Sequence, residues 1–170
     1  SDRIADIFAV NVVGPSLLAA AALPHLAATK GAIINVSSTY GHRPIADLSH
    51  YAASKAALEQ LTRCWALELA SMGIRVNGVA AGPTESGALV GMMGLSADQA
   101  EAVKSQERSR IPLQRRGEPD DVARKLREKR SVVLRIDKQR LVPARHEFIH
   151  VADRADGVPR RQPRAGHGHH

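Results

Sequence analysis

Ser49-His50-Tyr51-Ala52-Ala53-Ser54-Lys55-Ala56-Ala57-Leu58-Glu59-Gln60-Leu61 is the stretch on which the reading of this chain turns. It opens a helix, so Tyr51 and Lys55 fall one turn apart on the same face. A tyrosine with a lysine at that spacing can make an acid that works near neutral pH. A phenol ordinarily ionises near pH ~10. An ammonium group a few ångströms away favours the phenolate, and a general acid or base serves best when its pKa lies near the working pH. Surface helices also carry such pairs by chance, so one pair alone decides nothing.

Two residues upstream change its weight. Ser38 lies thirteen positions before Tyr51, at the end of the strand-like run Ala32-Ile33-Ile34-Asn35-Val36-Ser37, and Asn11 lies twenty-seven positions before Ser38 in a helical stretch. In order and spacing, Asn11, Ser38, Tyr51 and Lys55 resemble the catalytic tetrad of the short-chain dehydrogenase/reductase family. The text around them is similar too: Val10-Asn11, Asn35-Val36-Ser37-Ser38, Tyr51-Ala52-Ala53-Ser54-Lys55-Ala56-Ala57, Arg75-Val76-Asn77, and Pro112-Leu113 through Arg116-Gly117-Glu118-Pro119-Asp120-Asp121-Val122-Ala123. The likeness covers roughly residues 1–123. It implies an α/β fold: the C-terminal part of a doubly wound parallel, Rossmann-type sheet with flanking helices.

The resemblance also implies a chemistry. A hydride would pass between NAD or NADP and a ketone or secondary alcohol. Tyr51 would transfer the proton, and Lys55 would lower its pKa and hold the cofactor's ribose hydroxyls. Ser38 would hold the substrate oxygen, and Asn11 would bend its helix and hold a water leading to the lysine. After the next strand comes Ala81-Gly82-Pro83-Thr84-Glu85-Ser86-Gly87, where the family usually reads Pro-Gly. Here Gly82 and Pro83 shape the turn, and the Thr84 backbone with the side chain of Thr84 or Ser86 would bind the nicotinamide carboxamide. Small residues at Ala52, Ala53, Ala56 and Ala57 would let the cofactor approach on one side and a partner subunit's helix on the other. A homo-oligomer through the helices carrying Asn11 and Tyr51 is therefore expected.

Local patterning supplies the elements. Residues 3 to about 28 form a helix or kinked pair, apolar enough to be covered on more than one side, with Pro15 removing a donor and kinking it. Gly31 ends that helix. Ala32–Val36 is a short apolar run suited to a parallel strand buried on both faces. It puts Ser38 at the strand's carboxyl end, where open α/β sheets place their ligand crevice. Residues 39–50 form a loop bordering the substrate. The next helix runs from about Tyr51 to Met72 with Gly73 as C-cap. Leu58, Leu61, Trp65, Leu69 and Met72 make its core stripe, and Glu59 pairs with Arg63 as an exposed i,i+4 couple worth ~0.3–0.5 kcal/mol. Ile74–Ala80 is a strand, Gly87–Gly94 a lid segment, Ser96 a helix N-cap, and Glu118-Pro119-Asp120-Asp121 another helix start.

Composition bounds the rest. The 170 residues, 44% hydrophobic, suit one core and one domain, and the single cysteine, Cys64, reads as a buried structural thiol in a reducing, cytoplasmic setting. The apolar stretch Val10–Ala28 approaches membrane-spanning length, but Asn11, Gly14-Pro15, Pro24 and His25 interrupt it. The reading is a buried helix and no membrane partner.

Charge is uneven. Residues 1–123 hold 11 Lys and Arg against 12 Asp and Glu, whereas residues 124–170 hold 13 against 5, so the formal charge of +7 belongs to the tail. After Val122-Ala123 the family's Val-Asp-Gly-Gly ending is not found. Residues 124–170 read as a shifted reading frame or an unrelated fusion, irregular, basic and solvated. The family's glycine-rich pyrophosphate turn does not precede Asn11 either. His146, His150, His167, His169 and His170 follow no structural metal spacing.

Three readings from different classes stand side by side. One is the oxidoreductase, inactive without its cofactor-binding half. Another is a non-catalytic fragment that keeps the Asn11 and Tyr51 helices as an association module. The third is a nucleic-acid binder acting through the tail's cations; with 3% aromatics in the chain it lacks stacking platforms, and no specific nucleic acid is expected.

Overall fold

The computed structural model describes residues 2–129 and 149–150. It opens on one long helical rod in three parts: α1 (Asp2–Phe8), a wider π-type turn over Ala9–Val13, and α2 (Gly14–Thr29). Then come β1 (Ala32–Ser38), α3 (Ser49–Glu68) and β2 (Arg75–Ala81). Parallel strands need a crossover rather than a tight turn, and α3 provides it. β1 and β2 pair in parallel from Ala32 opposite Arg75 to Ser38 opposite Ala81. Beyond β2 lie α4 (Ala88–Gly91), α5 (Ala97–Arg110) and α6 (Pro119–Lys129). β3 (Ile149–His150) lies parallel on the other side of β2, with Ile149 opposite Val79. Among the described residues the strand order is therefore β1-β2-β3, all parallel. This is the α/β architecture expected. Helix α6 continues through the 123/124 boundary to Lys129, and β3 at Ile149–His150 also lies within the stretch expected to be irregular; the rest of the shifted-frame reading falls outside the described residues.

The core gathers Leu69, Ile74 and Val76, against which Leu23, Leu26 and Trp65 pack. Val79 and Ala80 of β2 are fully enclosed. Of the expected α3 stripe, Leu58 and Leu69 are buried while Leu61, Trp65 and Met72 are half-buried. The fully buried α3 positions also include Ser54, Glu59 and Thr62. This corrects the Glu59–Arg63 surface pair: Glu59 faces inward, and Arg63 bonds Gln60 Oε1 at 2.9 and 2.7 Å through Nε and Nη2. Cys64 is half-buried rather than buried.

The first rod also differs from expectation. No residue of it is fully buried, and Val10, Leu17 and Leu18 are 72%, 66% and 73% exposed. The described elements cover one side of it, where Leu23, Leu26 and Ala27 meet the core, and the opposite apolar side faces outward. By length and composition alone, the 28-residue span Asp2–Thr29, which holds an 18-residue window of mean hydropathy 1.8, suffices to cross a bilayer. Pro15 sits in the first turn of α2, directly after the π-type turn, where the Gly14 N–H reaches back to the Ala9 carbonyl. The disturbance expected of Pro15 thus takes the form of a widened turn carrying Asn11, a device often found at functional sites. At the end of α2 it is Lys30, not Gly31, that takes the left-handed cap at φ 53°.

Strand β1 is not sealed on both faces. Asn35 and Ser37 are buried, yet Val36 is 48% exposed and borders an open groove of about 480 Å³ between β1 and α2. The inward face of β1 is instead polar. Asn35 Nδ2 donates to Thr62 Oγ1 at 2.8 Å, and Ser37 Oγ donates to Glu59 Oε1 at 2.9 Å. Strand residues two apart thus meet helix residues three apart along one seam, as the two periods require.

Capping agrees with the sequence. Ser96 accepts from the Gln99 N–H while the Gln99 side chain accepts from the Ser96 N–H, a complete capping box. Gly73 ends the α3 region at φ 75° after a tight turn over Ala70–Met72. At α6, the Asp121 carboxylate accepts from Arg115 Nη1 at 2.8 Å, from the Glu118 N–H at 3.0 Å and from Arg124 Nη2 at 2.9 Å. The Arg115 hydrogen bond, followed by the Glu118 amide, holds its pKa down at about 2 from 3.8. A carboxyl depressed in the folded state binds fewer protons than in the unfolded chain. Its contribution is therefore complete above pH 3.8 and disappears as pH falls through about 2. Acid titration of the unfolding midpoint should show a smaller fall across that window in Asp121→Asn than in the unsubstituted chain.

Candidate active site

Tyr51 lies in the first turn of α3, and Lys55 follows one turn later on the same face. The Lys55 ammonium stands 5.8 Å from the centre of the Tyr51 ring. It donates to the Val36 carbonyl at 3.1 Å, two residues before Ser38. Burial of the amine lowers its pKa from 10.5, because a shielded site disfavours the charged form. Ser38 is buried at the carboxyl end of β1, where its Oγ accepts from the Tyr40 N–H at 3.3 Å. Its neighbour Ser37 turns the other way, toward Glu59 and the Lys55 carbonyl at 3.3 Å. Strand alternation thus separates the two serines, and Ser38 is the one not committed to the seam.

Asn11 projects from the widened turn, and its Nδ2 donates to Ser54 Oγ at 3.0 Å. Ser54 is fully buried and donates to the Tyr51 carbonyl at 2.7 Å. The asparagine is thereby tied to the helix turn that runs from Tyr51 to Lys55. Asn11 and Lys55 both line the groove beside β1. Asn11 meets the tetrad through Ser54, which motif spacing did not single out as a partner.

The loop after β2 brings in the remaining candidates. Thr84 Oγ1 donates to the Gly82 carbonyl at 3.0 Å, and Ser86 Oγ accepts from the Ala88 N–H at 3.3 Å. The loop is clipped to the Arg116-Gly117 segment: the Gly117 N–H donates to the Pro83 carbonyl at 2.9 Å, and the Glu85 N–H to the Gly117 carbonyl at 2.8 Å. Arg116, with 6% exposure, lies beneath it. Its Nη2 donates to the Thr84 carbonyl at 2.6 Å and its Nη1 pairs with Glu107. Nε stands 3.1 Å from Glu85 Oε1, but off the hydrogen-bond direction, so that contact is an ion pair without a hydrogen bond. Glu85 also pairs with Lys104 at 2.7 Å, and that bond is the main cause of its lowered pKa. The expected lid contains a short helix, α4, with Val90, Met92 and Met93 exposed around it. Among the described residues no group of three His, Cys, Asp or Glu could hold a metal ion.

Parallel β1 and β2, joined by the crossover helix α3, make the open α/β arrangement in which ligand crevices lie at the carboxyl ends of the strands, the end where Ser38 stands. A family model described as enoyl-(acyl carrier protein) reductase matches residues 1–126. The 4-formylbenzenesulfonate dehydrogenase of Comamonas testosteroni is 39% identical over 123 residues, 72% of this chain and 48% of the relative. L-xylulose reductase of Caenorhabditis elegans is 40% identical over 117 residues, 68% of this chain and 45% of the relative. A short-chain dehydrogenase/reductase of unknown function from Caenorhabditis elegans, solved with cofactor, superposes with a TM-score of 0.69 at 34% identity, covering 73% of this chain and 47% of the other. A small-chain dehydrogenase in complex with NADPH gives 0.62 at 29% identity, covering 72% and 53%. The chain belongs to the short-chain dehydrogenase/reductase family. It spans about half the length of the curated relatives it matches.

Proposed function

We propose that these residues carry the proton-transfer half of an NAD(P)-dependent oxidoreductase acting on a ketone or secondary alcohol. The observation that supports it most is the Lys55 ammonium set against the Tyr51 ring, with Ser38 at the adjoining strand end and Asn11 tethered to the same helix turn through Ser54. The donor set suits the nicotinamide and ribose end of the cofactor: a cation at Lys55, a hydroxyl at Thr84, and a backbone loop fixed by Gly117 and Arg116. Gly82, Pro83 and Ser86 belong to that loop. NAD or NADP, when bound, supplies or accepts the hydride. Tyr51 then donates a proton to, or takes one from, the substrate oxygen. Ser38 holds that oxygen by a hydrogen bond that strengthens as charge develops on it, and Lys55 keeps a positive charge beside the phenol. Asn11 fixes the turn of α3 on which both stand.

Joining residues 1–129 to the N-terminal portion of a cofactor-binding relative tests the reading. Hydride exchange between NAD(P)(H) and a panel of ketones and secondary alcohols is expected, above that of the donor portion alone. Cofactor binding without turnover on any of them would turn the assignment to the non-catalytic association module. That second reading draws on the outward Val10, Val13, Leu17 and Leu18, which also support a homo-oligomer through these helices; light scattering of the chain checks it, a monomer at micromolar concentration counting against it. The same proposal places the chain in the cytoplasm, where its one thiol stays reduced.

A further inference from the structure

A buried carboxylate lies behind the catalytic candidates and takes no part in the chemistry proposed for them. Glu59 is 3% exposed. Its Oε1 accepts from Ser37 Oγ at 2.9 Å and lies 3.2 Å from His42 Nδ1. A carboxylate oxygen accepts, so the brace requires His42 to present Nδ1–H to it. Gly41 lies directly over the group: a Cβ there would meet Glu59 Oε1 at 2.5 Å and Cδ at 2.9 Å. The turn Thr39–Gly41 rests on the carboxylate because this residue has no side chain. A carboxylate in such surroundings is costly unless its acceptors are satisfied, and here the donors come from two different elements.

Those elements are the ones whose spacing matters. Ser37 precedes Ser38 on β1, His42 follows the turn that Ser38 begins, and Glu59 sits one helical turn after Lys55. Ser37 Oγ is also 3.3 Å from the Lys55 carbonyl. The three side chains therefore join the strand end carrying Ser38 to the helix turn carrying Lys55. We infer that Glu59 is a positioning residue which, through Ser37 and His42, sets the distance between Ser38 and the Tyr51–Lys55 pair. Its catalytic meaning rests on the oxidoreductase reading; the brace itself can be tested on the chain as it stands.

The test uses nitrogen and carbon NMR with amide hydrogen exchange. In the unsubstituted chain His42 Nδ1 should carry the signal of a protonated ring nitrogen. Glu59→Ala should remove that preference and speed exchange of the Tyr40 and Arg43 amides by about tenfold, the loss of one hydrogen-bonded restraint. The Val76 and Val79 amides should stay at their original rates. The methyl carbons of reductively methylated Lys55 should shift as well. Glu59→Gln keeps an accepting oxygen and should restore all three readouts. Unchanged exchange at Tyr40 and Arg43 in Glu59→Ala, or a Gln variant no better than Ala, would overturn the inference. If Glu59→Ala does not fold, Gly41→Ala lifts the turn from an intact carboxylate and should free the same two amides; wild-type rates there overturn it equally. None of these readouts involves turnover, so failure of the dehydrogenase reading would leave them standing.

Discussion

Replacing Tyr51 by phenylalanine in the completed enzyme should lower kcat by about 10²–10⁴-fold, the share that a well-placed general acid supplies. The ring remains, so α3 keeps its packing and the urea unfolding midpoint should not move. The Lys55 ammonium also keeps its neighbour, since it faces the ring at 5.8 Å from the centre. What disappears is the hydroxyl that, in the proposed mechanism, exchanges a proton with the substrate oxygen. The loss should therefore fall on kcat rather than KM, the pattern of an interaction made chiefly in the transition state. Steady-state kinetics on a ketone substrate, with thermal unfolding alongside, separates the outcomes. Retained kcat with an intact fold removes Tyr51 as the acid. Loss of fold would instead show that the hydroxyl is structural.

The parts of this site that were legible in the sequence are those set by regular periods. Tyr51 and Lys55 share a face because helices repeat every 3.6 residues, and Ser38 falls at a strand end because the apolar run stops beside it. What sequence reading missed came from long-range partners. Glu59 and Arg63 make a good i,i+4 couple on paper, yet Glu59 shares the inward face of α3 with Ser54, Leu58 and Thr62. A signal did exist: Asn35 and Ser37 stand two apart in an otherwise apolar strand, so two polar side chains point the same way and need polar partners. Glu59 and Thr62, three apart on the crossover helix, are the groups that answer them. The first rod departs from the buried helix its sequence predicts for a different reason. Val10, Leu17 and Leu18 are apolar enough for a core, but sequence composition does not say whether a covering layer is folded against them. Arg116 was visible as part of a family-like segment, while its acceptors at positions 84, 85 and 107 could not be read from any spacing.

That arginine should give a large stability effect on substitution. Arg116→Met should lower the unfolding free energy by about 3 kcal/mol, the lower end of the cost of breaking a buried ion pair by removing one partner. The lower end applies because the side chains of Glu85 and Glu107 keep 30% and 26% of their exposure, whereas the arginine side chain keeps 5%. The methionine fills the space, so the cost comes from the Thr84 carbonyl and the Glu107 carboxylate, which lose a donor, and from Glu85, which loses a counter-charge. Arg116→Lys should recover less than half of it, since one ammonium cannot reach three partners in the directions a guanidinium fork spans. Urea unfolding at neutral pH measures both. The placement of the loop should suffer with the stability: the Gly117 N–H to Pro83 and Glu85 N–H to Gly117 bonds hold the backbone, but Arg116 is what fixes the Thr84 carbonyl from below. Exchange at the Glu85 amide should therefore quicken in Arg116→Met more than at Val79. Matching midpoints in variant and parent would mean that the network contributes no more than exposed pairs do, about 0–1 kcal/mol, and that the loop is held without Arg116, by the Gly117 backbone bonds and the Glu85–Lys104 pair.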